Sequence, residues 1–404
     1  MKTICLYFQI HQPFRLKNFP FYEIGKGKPY FDEEVNSSIL KVEAHNIYLP
    51  INRLLLKLIL SFEKKLNLSF SISGTALDQL ENYAPEVIDS FQKLYDTGCV
   101  EFIGDTYAHS LAAHKSQREF SRQVKAHSKK INELFGACPT TFQISHLSYT
   151  DSIGKILYDI GFDTVVLDGI DELKDNGLVH RVYRNDTNPD LKLLLSNQQL
   201  HDDISTGYSN ITCGEFTLTP ENYADWLRIV PQEQRLINLF MNYMTLGNLH
   251  NNGRNVFEFL EKFVEQSLSS GIQLSKPSQL PTLDTEVPLS TSSLPFKSGD
   301  HSWNNMKSRL GNELQKEAFN ALYDLESQIV VWAESPLKQD WLYLQSSDHF
   351  YYMCTDHVDS EETSPYLSPY GSPFFAYINF MNIVTDLHKR AKYLNQNLVP
   401  VLVM

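Results

Sequence analysis

The stretch Thr3–Ile10, TICLYFQI, is almost wholly apolar and rich in residues that favour β-structure. Strands that are covered on both faces have this pattern, because neither face needs polar residues for contact with water. The run ends abruptly at His11-Gln12-Pro13, where polar side chains and a proline follow the apolar residues. We therefore predict a buried strand that ends at residue 10.

Segments with strand-like and helix-like patterns alternate after this strand. Further strands are predicted at 68–73, 99–103, 140–144, 164–167 and 236–241. Apolar residues recur at helical spacing at 46–60, 84–96, 116–134 and 152–160. Such βα repetition implies a parallel sheet with right-handed crossovers. The sheet could be open and doubly wound or closed into a barrel, and the periodicity does not distinguish the two.

The last third of the chain has a different character. Residues 275–298 contain four prolines and many serines and threonines, which is typical of a long irregular loop. Apolar residues return at helical spacing from Met306 onward and again from Phe374 to Leu394. The sequence thus predicts a barrel or sheet region at 1–272, an irregular loop at 273–300, and a C-terminal helical region at 301–404 that packs on the first region.

Composition limits the classes of partner. The formal net charge of −13 argues against binding nucleic acid or an anionic membrane by bulk electrostatics, because those partners attract basic surfaces. A neutral ligand such as a sugar is compatible with this charge. The five cysteines are scattered singly, so neither a disulfide framework nor a zinc motif is indicated. The N-terminal apolar run is too short for a signal peptide and no run reaches membrane-spanning length, so we expect a cytoplasmic protein.

Polar residues collect where the predicted strands end. They are His11, Asp105, His109, His146, Asp168 and Asn242. In a parallel barrel and in an open parallel sheet alike, ligands bind at the carboxyl ends of the strands. These residues are therefore candidates for a functional site in either topology.

Five short stretches, in chain order, resemble the signatures of the α-amylases of glycoside hydrolase family 57. The first is His11-Gln12-Pro13. The second, EFIGDTYAHSL at 101–111, is similar to the family's Gly-x-Thr-Tyr-Tyr-His-Ser-Leu, with Ala108 in place of the second tyrosine. The last, LQSSDHFYYM at 344–353, is close to the family's final signature, and LGNELQ at 310–315 is similar to the helix opening that precedes it. The resemblance implies an α/β fold, namely an irregular (β/α)7 barrel followed by a C-terminal helical bundle.

The third and fourth signatures depart from the family at the positions of the two catalytic carboxylates. Where the family reads approximately Phe-Arg-Asn-Thr-Glu-Leu-x-Tyr, this chain has FQISHLSY at 142–149, with His146 at the position of the nucleophilic glutamate. Where the family reads Met-Asp-Tyr-Glu-Thr-Phe-Gly-Glu-His, this chain has MNYMTLGNL at 241–249, with Asn242 at the position of the general acid. A retaining glycosidase needs both carboxyl groups. An amide has no proton to donate at neutral pH.

The resemblance implies action on α-1,4-glucans such as starch, glycogen and maltooligosaccharides, with retention and without a cofactor or an obligatory metal. It also implies that a set of polar and aromatic residues binds the glucan. These are His11, Gln12, Tyr107, His109, His146, Asn242, Trp303, Asp348 and His349. Each also has a structural interpretation, because hydrogen-bonded histidines and aromatic side chains are common in protein cores and barrel rims.

Three hypotheses for the function follow. The leading one is an α-glucan-binding protein that is catalytically silent or strongly impaired and that could act beside an active amylase as its functional partner. A rival is an active retaining α-glucan hydrolase in which Asp105, Asp168 or Asp348 has taken over the catalytic work. A third is metal-dependent chemistry at converging histidines and Asp105, because imidazole and carboxylate suit zinc. The histidines in question are His11, His109, His146 and His349, and none has the short spacing of a known zinc motif, so no metal is expected.

Overall fold

The structure, a computed structural model, describes residues 2–144, 149–167, 181–196, 236–244, 246, 256–280, 287–289, 306–331, 335–355 and 368–397. Strands in these residues are β1 (Thr3–Ile10), β2 (Leu68–Ile72), β3 (Val100–Phe102), β4 (Thr141–Gln143), β5 (Thr164–Leu167), β6 (Val182–Asn185), β7 (Lys192–Leu195), β8 (Leu236–Asn242), β9 (Gln273–Ser275) and β10 (Val287–Leu289).

The helices fall into two groups along the described chain. Those interleaved with the strands are α1 (Glu33–Glu43), α2 (Leu49–Ser61), α3 (Gly74–Tyr83), α4 (Pro85–Tyr95), α5 (Gln117–Phe135), α6 (Asp151–Ile160) and α7 (Val256–Ser269). The C-terminal helices are α8 (Lys307–Leu310), α9 (Glu313–Tyr323), α10 (Glu326–Ile329), α11 (Pro336–Leu344), α12 (Ser347–Tyr351) and α13 (Pro373–Asn397). A π-helical segment, Ala44–Tyr48, joins α1 to α2.

The strands form two sheets that meet at one corner. The first sheet has the order β3-β2-β1-β8 and is parallel throughout, with β9 paired to the first residues of β1. The second has the order β10-β6-β7-β5-β4, in which β6 and β7 are antiparallel and the other pairs are parallel. A parallel bridge between Gly104 and Phe142 joins the sheets where β3 and β4 end.

The two sheets close into a barrel. On the side away from Gly104, the Asn238 side chain in β8 donates from Nδ2 to the carbonyl oxygen of Leu195 in β7 at 2.9 Å. Buried side chains from both sheets also share one interior cluster, which includes Cys5, Tyr7, Ile103, Val166, Leu194 and Leu236. An open sheet could not bring side chains of β1 and β5 together in this way. The parallel strands β1, β2, β3, β4, β5, β7 and β8 enclose the cluster, which confirms the expected irregular (β/α)7 barrel.

Helices cover the outside of the barrel in two groups, each with its own apolar core. A large apolar core lies between β1, β2 and helices α1, α2, α3, α4 and α7. A second core joins β4 and β5 to α5, α6 and the C-terminal helices, and it contains the fully buried Trp341 of α11. The Trp341 indole donates from Nε1 to the carbonyl oxygen of Leu322 at 2.8 Å, which satisfies its polar atom. Among the described helices, none combines the length and the apolar character that crossing a membrane requires.

Each predicted strand and helix is present, with ends that lie within a few residues of the predicted ones. Several further strands and helices were not predicted. Helices α1, α3 and α7 and strands β6 and β7 were not predicted from periodicity. The irregular loop expected at 273–300 is wrong for residues 273–275 and 287–289, which form β9 and β10. These strands pair with distant partners, and Pro288 is tolerated because β10 lies at the edge of its sheet.

Removing the Asn238 side chain should weaken the closure of the barrel. Asn238→Ala should lower the free energy of unfolding by about 1–3 kcal/mol, because the Leu195 carbonyl and the Tyr7 hydroxyl would lose their partner in a buried setting. Urea denaturation followed by circular dichroism measures the change. The exposed Asn18→Ala is the control and should stay within about 0.5 kcal/mol of wild type. Equal free energies of unfolding for the two variants would contradict a role of Asn238 in closing the barrel.

Candidate functional site

Polar side chains from three parts of the chain meet at the carboxyl ends of β1 and β3. His11 directly follows β1, His109 lies in the loop after β3, and Asp348 comes from α12 in the C-terminal region. The His11 and His109 rings lie side by side, with centroids 4.6 Å apart and ring planes tilted by 32°. We call Gln9, His11, Tyr107, His109 and Asp348 the polar rim.

His11 is fixed from both ring nitrogens. Its Nδ1 lies 2.8 Å from the Ser73 hydroxyl, and its Nε2 lies 2.7 Å from Oδ2 of Asp348. Burial lowers the pKa of His11, and although Asp348 acts in the opposite direction, the ring is neutral at pH 7. Since a carboxylate only accepts hydrogen bonds, the proton is on Nε2, and Nδ1 accepts from Ser73. Ser73 in turn caps α3 by accepting from the Ala76 amide at 3.3 Å, so the ring orientation is tied to a helix end.

Asp348 is held as an anion. Burial would raise the pKa of this carboxyl group, but His11 and the guanidinium of Arg309 hold it well below its usual value. The Ser346 hydroxyl donates a further hydrogen bond to Oδ2 at 2.9 Å. The side chain is nevertheless 27% exposed, so a ligand in the cleft can reach its oxygens.

His109 forms a second histidine–carboxylate pair. Its Nδ1 lies 2.8 Å from Oδ2 of Asp105, whose other oxygen accepts from the Thr106 amide at 2.7 Å. Burial would raise the pKa of Asp105, but these contacts and the nearby His127 lower it. Asp105 is therefore an anion, and both members of the pair are buried, since Asp105 is 3% and His109 5% exposed.

The backbone of His109 is strained. Its φ is +52°, in the left-handed region that non-glycine residues avoid. Two contacts from the C-terminal region hold it there: the Ser347 amide donates to the His109 carbonyl oxygen at 3.3 Å, and Ser110 forms an antiparallel bridge with Ser346. Strain of this kind persists where the surroundings fix it and is concentrated at functional sites.

Gln9 is a rim residue that the sequence did not reveal. It is partly exposed and lies two positions after Tyr7, whose side chain belongs to the barrel interior. Its Nε2 lies 3.4 Å from Nε2 of His109. In the sheet it stands opposite Ser71 of β2 and Asn242 of β8. The sequence did contain one indication of this role, because Gln9 is a polar residue near the end of an otherwise apolar strand.

Tyr107 is anchored beneath the rim. Its hydroxyl donates to Asp78 at 2.8 Å, and the same carboxylate accepts from Tyr343 at 2.9 Å and binds Lys130 at 2.8 Å. Its ring covers Gly74, where a Cβ would lie 2.5 Å from the ring atoms. Because the hydroxyl is bound to Asp78, the ring face is what Tyr107 offers to a ligand.

Two residues expected to bind a ligand face elsewhere. Gln12 is 4% exposed, and its Nε2 donates to Glu43 and to the Tyr48 hydroxyl, the latter at 3.2 Å. His349 is 2% exposed and packs against the rings of Phe380 and Tyr352, with centroids 5.7 and 6.4 Å away. Burial lowers the pKa of His349 to about 4. We therefore assign both side chains to support of the rim, and the same holds for His109, which is only 5% exposed.

The remaining expected residues are less fully described. His146, Asp168 and Trp303 lie outside the described residues, and of Asn242 only the backbone is described, opposite Gln9. Within the described part of the chain, no group of three or more histidine, cysteine, aspartate or glutamate side chains is arranged to hold a metal ion.

Comparison with known protein families matches residues 5–287 to the family described as Glycosyl hydrolase family 57. The chain belongs to this family. The resemblance drawn from the short signatures is thereby confirmed at the level of the family. A protein from Methanocaldococcus jannaschii named "Putative alpha-amylase" is 30% identical to this family 57 chain over 409 residues, covering 97% of this chain and 85% of the relative.

Solved structures of other proteins share the fold. A family 57-type branching enzyme from Pyrococcus horikoshii superposes with a TM-score of 0.69 at 13% identity, covering 100% of this chain and 92% of the other. An α-amylase from Thermotoga maritima has a TM-score of 0.61 at 13% identity, covering 98% of this chain and 96% of the other. At these identities the likeness concerns the fold, including its C-terminal helical region.

The carboxyl group of Glu43, which accepts a hydrogen bond from Gln12, should make the free energy of unfolding depend on pH. Burial raises the pKa of Glu43 from 4.5 to about 7, although Arg15 and Tyr48 act in the opposite direction. The folded protein therefore holds this proton more tightly than the unfolded chain does, and stability falls as the pH rises from about 4.5 to about 7. Glu43→Gln should be about 1–2 kcal/mol more stable than wild type at pH 8 and equal to it near pH 4.5.

Urea denaturation at several pH values between these limits measures the effect. Glu265→Gln, at an exposed position of α7, is the matched control and should follow the wild-type pH dependence. A Glu43→Gln variant with the same pH dependence as wild type would show that Glu43 is ionised in the folded protein.

Proposed function

We propose that this chain is an α-amylase-like protein of α-1,4-glucan metabolism that binds α-glucan or maltooligosaccharide and is catalytically silent or strongly impaired. One observation carries the proposal: His146 and Asn242 stand where the family's nucleophile and general acid are expected. Retaining glycosidases use two carboxyl groups about 5–5.5 Å apart. Loss of general acid–base help alone slows such reactions by ~10²–10⁴-fold.

Histidine at the nucleophile position is a poor substitute. A glycosyl-imidazole carries no negative charge with which to offset an oxocarbenium-like transition state. Asn242 can hydrogen-bond a sugar hydroxyl but cannot protonate a glycosidic oxygen. The two substitutions together favour binding without turnover.

The polar rim has the chemistry that sugar binding needs. Sugar sites combine a few oriented polar groups with apolar ring faces. Asp348 offers acceptor oxygens, Gln9 an amide, and Tyr107 a ring face, and His11 and His109 are held in fixed orientations. The relatives named as an α-amylase and as a branching enzyme support an α-glucan as the ligand.

The electrostatics of the rim argue against Asp105 or Asp348 as a relocated general acid. Asp105 and Asp348 both have a pKa below the usual value, so neither holds a proton for a leaving oxygen at neutral pH. Glu43 has a pKa of about 7, but its described contacts are with Gln12 and Tyr48 at the helix-covered core. Asp168 stays a candidate of the rival hypothesis because it lies outside the described residues.

Wild-type protein should bind maltoheptaose with a Kd of about 10 μM to 1 mM, as expected for a neutral ligand held by hydrogen bonds and stacking. Isothermal calorimetry measures it. His11→Ala should weaken binding by about tenfold, because the rim loses the ring that links β1 to Asp348. The exposed Asn18→Ala should bind like wild type. Absence of heat at millimolar maltoheptaose would exclude glucan binding at the rim.

The double substitution His146→Glu and Asn242→Asp should produce measurable hydrolysis of amylose. It returns a nucleophile and an acid to the positions that the family signatures give them, while the polar rim is unchanged. Restoration should be partial, because Met244 and Ala108 also depart from the family pattern and affect the surroundings of the carboxylates.

Release of reducing sugar from amylose by both proteins is the measurement, with either single substitution as a control that lacks one carboxylate. Wild type as fast as the double variant would mean that chemistry survives elsewhere in the cleft, and the proposal of a silenced amylase would be wrong.

A further inference from the structure

Two exposed segments of the protein carry aromatic side chains. Phe21 and Tyr22, in the loop after β1, are 78% and 68% exposed. Phe374 and Phe375, in the first turn of α13, are 60% and 66% exposed. We call these four residues the aromatic shelf. Scattered exposed apolar residues need no explanation, but a group of them marks an interaction site.

The loop that carries Phe21 and Tyr22 is fixed to α13. The Phe19 amide donates to Oδ1 of Asn379 at 2.6 Å, and Nδ2 of Asn382 donates to the Phe19 carbonyl oxygen at 3.0 Å. On the other side of the two aromatic residues, the Gly25 amide donates to Asp386 at 2.5 Å. Phe21 and Tyr22 are therefore presented from a held segment rather than a loose one, which lowers the ordering cost of binding.

Phe375 lies on the face of α13 to which the loop is bound. Phe375 precedes Asn379 by four residues and Asn382 by seven, so these side chains share one face of the helix. The same face contacts the loop. At 1.5 Å per residue, roughly 6–17 Å along the helix axis separates Phe375 from the attachment points Asn379, Asn382 and Asp386, which hold the segment that carries Phe21 and Tyr22.

The shelf is connected to the polar rim by aromatic contacts. The Tyr352 ring lies 6.4 Å from the His349 ring, next to Asp348 in sequence. The Tyr370 ring lies 5.9 Å from that of Tyr352, and Nδ2 of Asn379 donates to the Tyr370 hydroxyl at 3.4 Å. The contacts thus run without a break from α12, at the rim, to the face of α13 on which Phe375 lies.

We propose that the aromatic shelf is a second glucan-binding surface, which holds a polymeric α-glucan while one of its chains occupies the polar rim. The proposal rests on the proposed function. The CH faces of glucose rings stack on aromatic rings while the hydroxyl groups remain in water, so exposed aromatic rings suit a polysaccharide. The net charge of −13 opposes a second copy of the chain as the occupant, because like charges repel, whereas a neutral polysaccharide is not repelled.

The test uses the double variant Phe21→Ala/Phe375→Ala, which removes one ring from each half of the shelf. Native electrophoresis in gels containing glycogen measures affinity for the polymer, and the loss of maltoheptaose affinity caused by His11→Ala measures the rim separately. We expect Phe21→Ala/Phe375→Ala to bind glycogen at least about fivefold more weakly, while His11→Ala still weakens maltoheptaose binding by the same factor in that background. Tyr393→Ala is the matched control, since Tyr393 is an aromatic residue of α13 with 66% exposure, about 27 Å along the helix from Phe375.

The outcomes separate the shelf from the rim. Weaker glycogen retention in the double variant, with Tyr393→Ala like wild type, supports glucan binding at the shelf. This holds even if maltoheptaose gives no heat, a result that would contradict only glucan binding at the rim. Unchanged glycogen retention in the double variant, or no retention of wild type, overturns the shelf whatever the rim does. Light scattering tests self-association. If wild type is a dimer, the double variant is a monomer and glycogen retention is the same in both, the proposal is overturned and the surface is a dimer interface.

Discussion

The hydrogen bond between His11 and Asp348 joins the first strand of the barrel to the C-terminal helical region. The 2.7 Å contact connects residues that are 337 positions apart. It fixes the His11 tautomer, keeps Asp348 ionised and places α12 over the ends of β1 and β3. The same short segment of α12 supports the left-handed backbone of His109 through Ser347. The geometry of the rim therefore depends on docking of the C-terminal helices, and the barrel by itself would lack an essential part of it.

Two histidines, each bound to its own carboxylate, give the rim a defined arrangement of charge. Both carboxyl groups have a pKa below the usual value, because their surroundings favour the anion more than burial disfavours it. Histidines act on both, together with the Thr106 amide at Asp105 and the Arg309 guanidinium near Asp348. Such a site has acceptors and oriented donors for hydroxyl groups, but it holds no acidic proton on these carboxyls at neutral pH. This state is consistent with the proposal that the rim binds a sugar without cleaving it.

A silent amylase scaffold would have a use wherever a glucan must be held rather than cut. In the function proposed above, His146 and Asn242 would remove the chemistry, and the rim and the aromatic shelf would provide the binding. The negative net charge is compatible with both, since a neutral polysaccharide neither needs nor resists it. On this view the family fold has been kept for its long binding surface, which extends from the barrel mouth to α13.

The sequence by itself determined the barrel strands β1 to β5 and β8, because their apolar runs are local signals. Together with short signatures, it also determined the family and the candidate residues His11, His109 and Asp348. Closure of the barrel was decided only in the tertiary structure, through the Asn238–Leu195 contact, because periodicity cannot report which strands meet. The strands β9 and β10 were also decided only in the tertiary structure. They pair with strands far away in the chain, although the composition of this segment, rich in proline and serine, indicated a loop. The orientations of Gln9, Gln12 and His349 were also decided there, since whether a polar side chain faces a cleft or a core depends on packing by residues far away in the chain.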